Sequence, residues 1–172
     1  MFEIGKSRIY YGLVKDVNVP NKSISFSFNE NETTLSLSDK VAETLSKFHY
    51  LKNTFILLIA NSENIVSRFA LLGSEVLVEG EYVIFSYLTK VVRNPDKTTG
   101  VFPVNEWDKS TRKTQKKWKK VGFSNSTKKD FSDEIWYYFG NCEGEESSSK
   151  KGVFRCIKVG ESLVCKDYVL VN

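Results

Sequence analysis

The side chains with the clearest capacity for chemistry are the cations of one short stretch, residues 109–120. Within these twelve residues the chain carries seven lysines and arginines, one tryptophan and no acid. Cations at this density bind phosphate groups, because each neutralised phosphate releases condensed counterions. The stretch contains Lys109, Arg112, Lys113, Lys116, Lys117, Trp118, Lys119 and Lys120. We therefore expect it to bind a ligand rich in phosphate.

Aromatic and basic residues around this stretch extend the candidate site. An indole among lysines suits stacking on a nucleobase, which contributes on the order of 1–3 kcal/mol per base. The predicted binding set also includes Phe123, Lys128 and Lys129, and the candidate stacking residues are Trp107, Trp136 and Tyr138. In a strand, the side chains of Trp136 and Tyr138 would share one face, because strand side chains alternate between faces.

The positive charge of the chain is localised in this region. Residues 96–129 hold ten Lys/Arg and three Asp/Glu, whereas residues 1–95 hold ten of each, and residues 130–172 hold five and eight. Two interpretations fit such a segment. It is either a hydrated loop whose lysines repel one another, or an arm that docks onto an acidic or phosphate-bearing partner.

Motifs for catalysis or cofactor binding are absent from the sequence. His49 is the only histidine, and no glycine-rich phosphate loop or nucleophile turn occurs. The three cysteines have no spacing typical of zinc ligands. Glu75, Glu79 and Glu81 could hold a divalent cation in a nuclease, but carboxylates beside a glycine are typical of a solvated turn. We predict a protein without catalytic residues, metal or cofactor.

The last two cysteines, Cys156 and Cys165, fall in a predicted hairpin with two possible registers. A two-residue turn at 160–161 places the cysteines opposite each other. A three-residue turn at 160–162 instead pairs Arg155 with Asp167 and separates the cysteines. Since opposite charges and matched apolar residues pair well across strands, the second register and free thiols are expected.

Period-two alternation dominates the rest of the chain and predicts a mainly β, β-rich α+β protein. The expected architecture is an antiparallel barrel or rolled sheet, OB-like in one version, with one short helix near 38–52. With 172 residues, we predict a single domain over 1–172, with a long basic loop or insertion at about 94–130. The N-terminus lacks a signal-peptide pattern, and no apolar run is long enough for a membrane span. We expect an intracellular protein, cytoplasmic or nuclear, without a membrane partner.

These observations predict a non-catalytic protein that binds nucleic acid, single-stranded DNA or RNA, through a lysine-rich arm and exposed aromatic residues. The alternative is a protein-interaction module, such as an inhibitor, adaptor or complex subunit, that binds an acidic protein surface. Charge alone does not separate the two, because a cationic segment accelerates encounter with either partner.

Overall fold

A computed structural model describes the backbone of residues 1–88, 90–93, 98–123 and 150–171. Side chains are described throughout these ranges except at 90–93, 98–101 and 150. The chain forms two compact units, Met1–Leu72 (unit 1) and Gly73–Asn172 (unit 2). The expectation that residues 1–172 behave as one domain stays a prediction.

Unit 1 is a ring of strands with one helix. Its elements are β1 (Phe2–Ile4), β2 (Ser7–Asn18), β3 (Ser23–Phe28), β4 (Asn31–Leu37), α1 (Asp39–Ser46), β5 (Phe55–Ala60) and β6 (Ile65–Leu71). The strand order is β1-β2-β3-β4-β6-β5, and a further pairing of β5 with β2 closes the ring. Pairing is antiparallel except between β4 and β6, which run parallel.

Alternation along β3 shows why this sequence forms the ring. Ile24 and Phe26 are buried among the core residues of unit 1, whereas Ser23, Ser25 and Ser27 lie on the other face. Burying an apolar side chain of this size stabilises the fold by about 1.5–3 kcal/mol. The alternation therefore fixes which face of β3 points inward.

The helix begins where the sequence predicts and ends earlier. Ser38 is the N-cap, and its hydroxyl accepts a hydrogen bond from the Val41 N–H at 3.3 Å. The helix ends at Ser46, earlier than the expected end near residue 52. The residues after Ser46 form the connection from α1 to β5. Within this connection the Asn53 N–H donates to the Val14 carbonyl at 2.9 Å.

The described residues of unit 2 form a nearly closed, barrel-shaped sheet of seven strands. The strands are β7 (Ser74–Val78), β8 (Glu81–Leu88), β9 (Lys90–Arg93), β10 (Thr98–Asp108), β11 (Lys113–Phe123), β12 (Lys150–Val159) and β13 (Ser162–Val171). Their order is β7-β8-β12-β13-β11-β10-β9. Gly73 helps to close the barrel, because its N–H donates to the Phe85 carbonyl and its own carbonyl accepts from the Asn105 N–H, both at 2.7 Å.

The two sheets follow one pairing scheme. In unit 1, β2 pairs with β3, β3 with β4, β4 in parallel with β6, β6 with β5, and β5 with β2. In unit 2, β9 pairs with β10, β10 with β11, β11 in parallel with β13, β13 with β12, and β12 with β8. The β3–β4 hairpin therefore corresponds to the β10–β11 hairpin. The interval that holds α1 in unit 1 corresponds to residues 124–149, which lie outside the described residues.

Over the residues it describes, the structure confirms a mainly β fold with one short helix and a barrel-like sheet. It corrects the expectation of a long basic loop, because residues 98–108 and 113–123 are the strands β10 and β11. Both strands carry buried apolar residues at the end away from the turn, among them Phe102, Val104 and Val121. These residues anchor the hairpin, and cross-strand pairing then extends it through the lysines.

The register of β12 and β13 combines the two predicted alternatives. Arg155 lies opposite Asp167, as expected from the three-residue turn. A bulge between Arg155 and Cys156 then shifts the ladder, so that Cys156 lies opposite Cys165. The prediction that the cysteines do not face each other is wrong, because a bulge inserts one extra residue into one strand. Both described cysteines are nevertheless free thiols.

No helix in the described part of the chain is long and apolar enough to cross a membrane.

Candidate nucleic-acid interface

The β10–β11 hairpin divides the predicted basic set between two faces. Phe102 lies opposite Lys119, and Val104 lies opposite Lys117. Because directly paired residues share a face, these two lysines lie on the side of the hairpin that faces the core of unit 2. The residues between them alternate to the other side.

That other side, the outer face, carries three consecutive cross-strand pairs. Its pairs are Trp107–Thr114, Asn105–Lys116 and Pro103–Trp118, and Lys120 follows Trp118 along β11 on the same face. Trp107 and Trp118 are 59% and 41% exposed. Such partial exposure of two indoles leaves ring surface available to a ligand.

Spacing on the outer face is set by the strand itself. Side chains two residues apart on one strand are separated by about 6.6–6.8 Å. Lys116, Trp118 and Lys120 therefore form a row in which an aromatic ring stands between two cations. Trp107 lies two pairs away from Trp118 on the neighbouring strand.

Two cations on the inner face, Lys117 and Lys119, have acidic partners. The Lys117 ammonium lies 3.1 Å from a Glu106 carboxylate oxygen. Lys119 forms an ion pair with Glu75, whose side chain is only 13% exposed. A lysine held by a carboxylate contributes less to phosphate binding, because a ligand must displace that carboxylate. The structure thus separates Lys117 and Lys119 from the cations of the outer face.

The remaining cations of the stretch lie at the turn of the hairpin. Lys109, Arg112 and Lys113 are exposed there, and Arg112 adopts a left-handed conformation with φ of 54°. The Asp108 carboxylate holds the turn by accepting from the Ser110 N–H at 2.8 Å and from the Gln115 amide at 3.0 Å. Hydrogen bonds from Ser110, first from its hydroxyl and then from its backbone, lower the pKa of Asp108.

Phe123 does not belong to this surface. It is 5% exposed and lies among the core residues of unit 2, because it occupies the inward register of β11 opposite Cys165 on β13. Its inclusion in the predicted binding set is therefore corrected. Lys128, Lys129, Trp136 and Tyr138 lie outside the described residues.

Two polar residues of the outer face were missed from the sequence, Asn105 and Thr114. Both could have been found by applying period-two alternation from Trp107 and Trp118, had the segment been recognised as a hairpin. Lysine-rich segments do not favour strands by propensity. The hairpin assignment therefore depends on apolar anchors that lie outside the basic stretch.

Unit 1 provides an internal comparison for this surface. The corresponding face of β3 and β4, all of whose residues are described, consists of the pairs Ser23–Ser36, Ser25–Thr34 and Ser27–Glu32. The Ser25 and Thr34 hydroxyls are hydrogen-bonded at 2.8 Å. This face presents hydroxyl groups and one acid where unit 2 presents indoles and cations. The candidate interface is therefore a feature of unit 2.

Residues considered for catalysis occupy ordinary structural positions. His49 lies in the segment after α1, with its ring 6.5 Å from that of Tyr50. Glu75 pairs with Lys119 and Glu81 with Arg155. Among the described residues, no group of three or more His, Cys, Asp or Glu side chains could hold a metal ion.

A comparison with protein-family models gives no match for this chain, and a comparison with curated proteins gives no significant similarity.

Proposed function

We propose that this protein binds single-stranded DNA or RNA without catalysing a reaction, and that the outer face of the β10–β11 hairpin makes the contact. The observation that carries the proposal is the row Lys116, Trp118 and Lys120, with Trp107 on the adjoining strand. Proteins that bind single strands without strong sequence preference combine a basic surface with aromatic rings on which bases stack.

The geometry of the row suits an extended strand better than a duplex. Its side chains repeat every two residues, about 6.6–6.8 Å, and a base can stack on an indole only when it is unpaired and splayed out. Trp118 would accept a base, while Lys116 and Lys120 would contact the phosphates on either side. Duplex grooves would leave both indoles without a stacking partner.

The pairing scheme supports a second part of the proposal, an OB-like fold for both units. A five-stranded, partly open barrel that binds oligonucleotides on the face of its second and third strands is typical of OB folds. Counting the ring of unit 2 from β9, those strands are β10 and β11. This is a fold analogy, and the functional argument depends on the side chains. The free thiols of Cys156 and Cys165 support an intracellular location.

The test is a fluorescence-anisotropy titration of the full chain with labelled single-stranded oligonucleotides at low and moderate salt. We expect dissociation constants in the micromolar range, with lower values (tighter binding) at low salt. Replacing both Trp107 and Trp118 with alanine should weaken binding at least about tenfold, since each stacked base contributes on the order of 1–3 kcal/mol. The matched control replaces Ser25 and Thr34 with alanine on the corresponding face of unit 1. Lack of binding below about 100 µM at either salt would refute the proposal.

One observation favours a second candidate, binding of an acidic protein segment. One edge of β11 pairs with β10. In the described part of the chain, the other edge pairs with β13 only over Val121–Phe123, so a strand of a partner protein could pair with that edge over residues 113–120. The two candidates differ in a variant that replaces Trp107 and Trp118 with alanine and keeps every lysine. Nucleic-acid binding predicts that oligonucleotide binding is lost, whereas binding to an acidic protein predicts selective capture of that protein without competition by oligonucleotides.

A further inference from the structure

The outer face of β11 leads directly into a cavity. At the end of the row, beyond Lys120, an open cavity of about 550 Å³ lies between β11 and the start of β13. Lys120, Gly122, Glu161, Ser162 and Val164 line it together with Lys119 and Leu163, two residues of the inner face that border the gap where the strands separate. Its volume falls within the range of about 300–1,000 Å³ that is usual for small-ligand pockets.

The floor of the cavity follows from the parallel pairing of β11 with β13. Phe123 lies opposite Cys165, and both side chains are buried in the core of unit 2. The preceding pair, Gly122 and Val164, therefore faces the opposite way. Gly122 and Val164 continue the outer face and form an apolar floor next to the cation of Lys120.

Gly122 leaves this floor open. A Cβ atom built there would meet only the Leu163 carbonyl oxygen, at 3.8 Å, an ordinary contact distance. Its backbone is not among those with positive φ, which would favour glycine. Neither crowding nor backbone conformation calls for glycine at this position. Glycine leaves space on the outer face of β11, on the same side of the strand as Trp118.

We propose that this cavity is a subsite for one nucleobase of the bound single strand. The base lies on Gly122 and Val164, and the Lys120 ammonium contacts the adjoining phosphate. The Ser162 hydroxyl and the Glu161 carboxylate stand at the edge of the cavity, where they can hydrogen-bond to the polar groups of the base. The inference rests on the proposed function and extends the path of the strand by one nucleotide beyond Trp118.

The test fills the cavity without changing any charge or indole. Gly122→Leu places a side chain over the floor, and Gly122→Ala is the graded, smaller change. The probes are fluorescein-labelled (dT)12 and a twelve-residue abasic deoxyribose-phosphate chain. We expect Gly122→Leu to weaken (dT)12 binding about tenfold, as loss of one base contact predicts, with a smaller loss for Gly122→Ala. Binding of the abasic chain should be unchanged. Ser25→Leu, the same side chain on the unit 1 face, is the matched control and should bind both probes as the wild type does.

The outcomes separate the subsite from the proposed function. If Gly122→Leu binds (dT)12 like the wild type while Trp118→Ala does not, the subsite is wrong and the proposed function stands. If the wild type binds neither probe, both are wrong. A second measurement on the wild type does not depend on folding of the variant: (dT)12 should shift the NMR amide signals of Gly122 and Val164. A shift of the Trp118 indole signal alone would overturn the subsite.

Discussion

Cys156 and Cys165 lie directly opposite each other on β12 and β13, and both side chains are fully buried in the core of unit 2. The neighbouring Cys165 thiol, through a hydrogen bond, and then burial itself raise the pKa of Cys156 above its ordinary value of 9.0. The thiol therefore stays protonated in the folded protein at a pH where the unfolded chain releases its proton.

This difference predicts a loss of stability in alkali. Because the folded-state pKa is the higher one, the stabilisation is complete below the unfolded pKa near 9 and declines as pH rises above it. Between pH 8 and pH 10 the Cys156 contribution should fall by about 1.4 kcal/mol. The measurement is the free energy of unfolding in urea for the wild type and Cys156→Val. The wild type should lose about that much more than the variant over this range, and equal losses would contradict the assignment.

Most of the fold could be predicted from local pattern. Ile24 and Phe26 alternate with serines, and Ser38 marks the start of the helix, so β3 and α1 could be placed from neighbouring residues alone. The β10–β11 hairpin could not, because its central residues are lysines and its anchors, such as Phe102 and Val121, lie at its far ends. Strand pairing over that distance overrides local propensity.

The sequence predicted the basic and aromatic residues of the candidate site, but it did not predict how the strands divide them between two faces. The sequence identifies Trp118 and its lysines, but it assigns Lys117 and Lys119 the same role as Lys120. Their ion pairs with Glu106 and Glu75 depend on which face of a strand each occupies. The cavity over Gly122 depends on parallel pairing with β13, a contact between segments about forty residues apart, which no local pattern reveals.

The division of cations between faces predicts different salt responses for two lysines of one strand. Lys120→Gln should lower the slope of log K against log salt by about 0.7, because one phosphate contact to a single strand is lost. Lys117→Gln should change the slope much less, since that ammonium is engaged with Glu106. Anisotropy titrations at four or more salt concentrations give both slopes. Equal slopes for the two variants would show that the faces do not differ in phosphate contact.

The hydrogen bonds of Asp108 predict its titration. Its folded pKa lies below 3.8, mainly because the Ser110 hydroxyl donates to the carboxylate. The stabilisation of the turn by the hydrogen bonds to the Asp108 carboxylate is thus present at neutral pH and is lost as pH falls through that lowered pKa. An NMR titration of the Asp108 carboxyl carbon should give a midpoint below 3.8, and Ser110→Ala should raise it. An unchanged midpoint in Ser110→Ala would exclude the hydroxyl as the main cause.

Gly73 links β8 and β10 through backbone hydrogen bonds, and we expect unit 2 to be sensitive to substitution at this position. Its φ of 92° is unfavourable for any residue with a side chain. An added Cβ would lie 2.6 Å from Nδ2, the side-chain amide nitrogen of Asn105. Gly80 has a similar φ of 88°, but a Cβ there meets nothing within 4 Å. Gly80→Ala should therefore cost about 1–2 kcal/mol of unfolding free energy from backbone strain alone. Gly73→Ala should cost somewhat more, by less than about 1 kcal/mol, because the exposed Asn105 side chain must move aside in addition to the strain.

Crowding against Asn105 can be separated from the effect of strain by a double-mutant cycle. Removing the Asn105 side chain should relieve the excess cost, so that Gly73→Ala in an Asn105→Ala background costs about as much as Gly80→Ala in the wild type. Urea unfolding of the four proteins of the cycle, with Gly80→Ala as the reference, gives the coupling. If the excess persists without the Asn105 side chain, its source is the pair of backbone hydrogen bonds through which Gly73 links Phe85 to Asn105.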